Sequence, residues 1–94
     1  MNDPTVRRLR AEISGLDREI LDAVNRRLEL VADLRRHKEE LGLPFVDPDR
    51  EQELLDALVR ANPGPLSSDG LRELFGELLA LTKREVKGDG RPEP

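Results

Sequence analysis

Two cations, Arg27 and Lys38, stand eleven residues apart in the first half of the chain. On an α-helix each residue turns by about 100° and rises about 1.5 Å, so this pair falls about 20° out of alignment and about 16 Å apart along the axis. Val31 and Leu34 lie between them in the same sector of about 40–60°. Both cations can therefore reach toward one anionic ligand held over the two apolar side chains. A further charged block, Asp47-Pro48-Asp49-Arg50-Glu51, follows shortly. It puts Arg50 and Glu51 in the first turn of a second helix, whose open N–H groups and positive dipole end favour an anion. Arg10 stands apart, about 25 Å along the axis and about 100° around it from Arg27. Those two share a small ligand only if Arg10 comes from a second copy of the chain.

Other chemistry finds little support. There is no nucleophile–base pair, no phosphate-cradling glycine loop and no cluster with metal-ligand spacing. Ser67 and Ser68 read as helix caps, and the lone His37 beside Lys38 has no partner motif. Arg26, Arg35, Arg36 and Lys83 read as surface charges pairing with Glu29, Asp33, Glu39 and others, each pair worth little.

The elements that must position the cations follow from periodicity. Val6, Leu9, Ile13, Leu16, Ile20, Val24, Leu28, Val31, Leu34 and Leu41 recur at steps of mostly three or four, which predicts one amphipathic helix from Thr5 to about Leu41. Asp3 is its N-cap and Pro4 its first helical residue; Gly42 suits a left-handed C-cap and Pro44 bars continuation. Asp47 caps a second helix over 48–61, with Pro48 in its first turn and Leu54, Leu55, Leu58 and Val59 as its apolar face. Asn62-Pro63-Gly64-Pro65 breaks the chain. Ser67 or Ser68 then starts a third helix carrying Leu71, Leu74, Phe75, Leu78, Leu79, Leu81 and Val86. One domain over 1–87 is expected, with residues 88–94 a disordered tail poor in apolar residues.

The fold class is thus all-α, one long helix, one short and one medium. Helices of about 14 and about 20 residues cannot cover both flanks of a helix about 54 Å long. A lone copy would leave a large apolar patch exposed, so a homodimer packed along the first helix is expected.

Composition bounds the rest. Charged residues make up 38% of the 94 and aromatics 2%, so the core is aliphatic. Sixteen Lys plus Arg against twenty Asp plus Glu, net −4, argues against a basic nucleic-acid-binding face. Cysteine is absent, which excludes disulfides and thiolate or zinc–thiolate chemistry. No apolar run approaches the roughly 20 residues of a membrane span. The charged start at Asp3, Arg7, Arg8 and Arg10 does not read as a signal peptide. A cytoplasmic protein without membrane partners is the expectation.

The order of residues then adds a resemblance. Leu9-Arg10-x-x-Ile13-x-x-Leu16-Asp17, a mid-helix Arg27, Lys38 eleven residues on, and Asp47-x-x-Arg50-Glu51 together resemble the all-helical (type II) chorismate mutases over roughly residues 5–86. The paired landmarks at fixed offsets are specific, whereas the leucines alone are not. The resemblance implies a three-helix protomer in an intertwined homodimer with two equivalent sites and no cofactor or metal. Each site takes Arg10 from one chain and Arg27, Lys38, Asp47, Arg50 and Glu51 from the other. By similarity, Arg10 and Arg27 hold the two carboxylates of the substrate, with Arg50 in support. Lys38 hydrogen-bonds the ether oxygen and a carboxylate, and Asp47 and Glu51 lie by the ring hydroxyl, Glu51 as its acceptor. Thr82 matches a hydroxyl position that assists one carboxylate. The implied reaction is the rearrangement of chorismate to prephenate, in aromatic amino acid biosynthesis by the shikimate pathway.

One position departs from the family pattern. A Gln or Glu one turn after the helix-3 hydroxyl usually donates a second hydrogen bond to the ether oxygen; here that position is Val86, which has no donor. Neighbouring Lys83 and Glu85 point about 60° and about 100° to either side of it. The substitution fits either a slow mutase aided by a partner enzyme or a pocket suited to 4-amino-4-deoxychorismate, as in antibiotic biosynthesis. An isochorismate pyruvate lyase shares the same cation pattern, and a non-catalytic helical dimer that binds another protein is the reading from a different class. A purely structural dimer, however, has no reason to set cations beside its apolar stripe.

Overall fold

Asp3 and Pro4 start the first helix as their types predict. The Asp3 carboxylate accepts a hydrogen bond from the Val6 amide at 2.9 Å, and its carbonyl accepts from Arg7 at 3.0 Å. The computed structural model describes residues 3–87, and the regular structure among them is helical: α1 (Pro4–Leu41), α2 (Pro48–Ala61) and α3 (Ser68–Lys87). The tail expected to be disordered, 88–94, lies outside the described residues.

Each boundary has a local cause. Gly42 takes φ +71°, the Leu43 amide bonds the Lys38 carbonyl at 2.8 Å, and the Gly42 amide bonds Glu39 at 3.1 Å. Those two bonds around a left-handed glycine satisfy carbonyls that a helix end otherwise leaves open. Asp47 caps α2 by accepting from the Arg50 amide at 3.1 Å, with Pro48 as the first helical residue. The break before α3 is held by Asn62, whose side chain donates to the Leu66 carbonyl at 2.7 Å and accepts from Gly64 at 2.9 Å. Of the two serines proposed as the α3 cap, Ser67 takes the role, its hydroxyl accepting from the Gly70 amide at 2.9 Å.

The chain divides into two compact units, Met1–Leu30 and Val31–Pro94, with the boundary inside α1. The first unit is helix alone among its described residues. Its apolar stripe is open: Leu9, Ile13, Leu16 and Ile20 are 45–61% exposed, and α1 has no buried residue along its length.

In the second unit α2 and α3 pack on each other. Leu71 and Val86 are buried, as is the polar Thr82. Asp56 on α2 accepts from the Arg72 guanidinium of α3 at 3.1 Å and from the Gln52 amide at 3.2 Å. The Arg72 hydrogen bond foremost, then that of Gln52, holds the Asp56 carboxyl below the usual carboxylate range. No helix among the described residues is long and apolar enough to cross a membrane.

Candidate active site

Lys38 occupies the last turn of α1, where a cation also complements the negative end of the helix dipole. The turn made by Gly42 brings the chain back, so that the half-buried Lys38 ammonium donates to the Phe45 carbonyl at 3.4 Å. This long contact engages one of the three ammonium hydrogens and leaves two for further acceptors.

Arg35, one turn earlier, departs from the expectation of a surface charge. Its side chain is only 23% exposed. It pairs with Glu39 at 3.3 Å, lies 5.5 Å from the centre of the Phe45 ring, and donates to the Val86 carbonyl at 2.6 Å. That carbonyl is among the last of α3, which have no partner within the helix, so a guanidinium hydrogen bond there satisfies an otherwise open acceptor. Helical spacing found the Glu39 pairing but carries no signal for α3. Arg26–Glu29 and Arg36–Asp33, by contrast, are the exposed local pairs expected. His37 is exposed, its Nδ1 3.7 Å from Glu40.

Lys83 is the second correction. Its ammonium bridges both carboxylate oxygens of Glu51, at 3.1 and 3.2 Å, and so ties α3 to the first turn of α2. A 100° rotation away from Thr82 did not exclude it, because a lysine stem of four methylenes sweeps across that angle. Only the packing of α3 against α2, 32 residues apart in sequence, makes the contact visible.

The other candidates fall as follows. Thr82 is 4% exposed and its hydroxyl donates to the Leu78 carbonyl at 2.7 Å. Val86, one turn on, is buried. Arg50 is exposed and stands 3.8 Å from Glu53. Asp47 is exposed, with one carboxylate oxygen occupied by the α2 cap. The N-terminus of α2, expected to attract an outside anion, therefore already holds the chain's own carboxylate, with Asp49 and Glu51 also in its first turn. In the first unit Arg10 is exposed and Arg27 half-buried. Thus the second unit joins Glu51 to Lys83, and Arg35 to the backbone at Val86, pairings that no sequence interval announces.

Fold and charge together define the class: the described residues form three helices and no other regular element, with basic side chains on those helices and a buried threonine. The family model for chorismate mutase type II matches residues 9–87, and the chain belongs to that family. Among its relatives, a T-protein from Haemophilus influenzae is 36% identical over 72 residues, which is 76% of this chain and 19% of that protein. A 4-amino-4-deoxychorismate mutase from Streptomyces venezuelae is 38% identical over 55 residues, covering 58% of this chain and 53% of the relative. The chain spans only about a fifth of the length of the T-proteins it matches, at 19% and 22%. A solved chorismate mutase from Thermus thermophilus (form II) superimposes with a TM-score of 0.87 at 36% identity, covering 93% of this chain and 99% of that one.

Proposed function

We propose that the chain is a chorismate mutase-type isomerase that converts chorismate to prephenate. The reading is carried by the family match across residues 9–87, and the order of Arg10, Arg27, Lys38 and Arg50 in the sequence supports it through the resemblance described above. The reaction is a single pericyclic shift: the ether C–O bond breaks as a C–C bond forms to the ring, with no proton transfer and no covalent intermediate. An enzyme accelerates it by holding the compact chair conformer and stabilising negative charge on the departing ether oxygen.

Each residue has a part in that scheme. Arg10 and Arg27 take the two carboxylates, with Arg50 in support, and Thr82 assists one of them. Lys38 donates to the ether oxygen as charge develops there and also meets a carboxylate. Glu51 accepts from the ring hydroxyl, with Asp47 nearby. Arg10 comes from the second copy of a homodimer. The uncovered stripe Leu9, Ile13, Leu16 and Ile20 supports that assembly, since an apolar face of this length is stable in water only when covered. The product places the protein in aromatic amino acid biosynthesis.

A second substrate, 4-amino-4-deoxychorismate, is favoured by one observation. Val86 is buried beside Thr82 on α3 and offers the ether oxygen no donor, and a relative that acts on the amino compound matches part of this chain. The test is to incubate the purified protein separately with chorismate, isochorismate and 4-amino-4-deoxychorismate and to identify the products. Prephenate from chorismate is the expected result. Pyruvate released from isochorismate would make it a lyase, and no turnover of any compound would leave a non-catalytic helical protein.

A further inference from the structure

Lys83 sits next to Thr82 on α3 and is bound through both oxygens of Glu51, at 3.1 and 3.2 Å. Its side chain is 39% exposed and that of Glu51 29%, so the pair lines an accessible surface rather than a sealed core. We propose that Lys83 is a specificity-determining residue, converting Glu51 from a bare carboxylate into half of an ion pair that selects a ring hydroxyl over a ring amine. The proposal rests on the reading above, in which Glu51 faces the substituent at position 4 of the ring.

The selection follows from hydrogen-bonding inventories. A hydroxyl donates one hydrogen bond and accepts others, so it can give its proton to Glu51 and take one from the Lys83 ammonium. An allylic amine that is protonated near neutral pH carries donors and no acceptor. Such an amine leaves Lys83 without a partner in the substrate and meets a like charge at close range. An unpaired Glu51 would reverse the preference, because a carboxylate with no neighbouring cation attracts an ammonium more strongly than a hydroxyl. The arrangement also separates two features of α3. In that reading Val86 lies by the ether oxygen, whereas Lys83 acts through Glu51 on the ring substituent.

The experiment measures kcat/KM for chorismate and for 4-amino-4-deoxychorismate on the intact protein, Lys83→Met and Lys83→Arg. Wild type is expected to prefer chorismate. Lys83→Met should shift the ratio toward the amino compound by at least about tenfold, which corresponds to ~1.4 kcal/mol of discrimination. Lys83→Arg, which keeps the charge, should restore the wild-type ratio, a rescue that a merely structural role does not predict. If Lys83→Met does not fold by circular dichroism, Lys83→Gln replaces it, keeping length and polarity without the charge. A wild type that prefers the amino compound, or a ratio unmoved by loss of the charge in an active enzyme, overturns the proposal. A wild type inactive on both compounds overturns the mutase reading itself and the proposal with it.

Discussion

Leu9, Ile13, Leu16 and Ile20 stand 45–61% exposed in the first unit, while Leu71 and Val86 in the second are 4% and 8% exposed. The two regions obey the same helical spacing and similar capping rules. They differ in what is available to cover them: in the second, α2 and α3 cover each other, whereas the described part of the first is a single helix. A Leu or Ile side chain gains about 1.5–3 kcal/mol on full burial, so four such residues left in water forgo several kcal/mol. The contrast teaches that the same helical spacing can leave a stripe open in one region and bury side chains in another; we have proposed that a second copy of the chain covers the open stripe.

The sharpest way to break this contrast is a charge in the open stripe. Ile20→Asp should abolish the homodimer and all turnover, with loss of helix content measured by sedimentation and circular dichroism at the same concentration. A variant that stays dimeric and active would show that the stripe is not the interface. Next in size is Lys38→Ala, expected to lower kcat by about 10²–10³, the effect of removing one transition-state donor, while the dimer persists in sedimentation. The pair separates assembly from chemistry, since the first loses both and the second loses chemistry alone.

Val86→Gln should raise chorismate turnover by about tenfold, because it supplies a donor at the buried position one turn after Thr82. An unchanged steady-state rate would show that the missing donor does not limit the reaction. The smallest effect belongs to Asp56. Its carboxyl is held below the usual range by Arg72 first and Gln52 second, so its contribution to stability is complete above the unfolded value and is lost as pH falls through the lowered folded one. Asp56→Asn should flatten that acid segment of the urea-denaturation midpoint and lower the midpoint above it, where the charged carboxylate contributes in full; an unaltered acid slope would mean that the pair does not persist in solution.

Much of the fold was legible because its signals are local. Asp3 with Pro4, Gly42 with Pro44, Asp47 with Pro48 and Ser67 each act within a few residues of themselves, and the three helices begin and end where those residues indicate. Arg35 and Lys83 were not legible for the converse reason. Their partners, Val86 and Glu51, lie 51 and 32 residues away, and periodicity locates a side chain on its own helix without naming the helix that meets it. The N-terminus of α2 illustrates a different limit. Asp47 serves as both cap and counter-charge there, so the same residue that starts the helix also satisfies it.

We have proposed that Arg10 of one chain acts in the same site as Lys38 of a second copy. Mixing inactive Arg10→Ala and Lys38→Ala proteins, unfolding and refolding them together, and assaying chorismate turnover tests it directly. Each mixed dimer then holds one site with both residues intact, so random pairing should recover about a quarter of wild-type activity. Recovery no greater than the sum of the two separate variants, in a mixture shown to contain mixed dimers, would contradict the shared site.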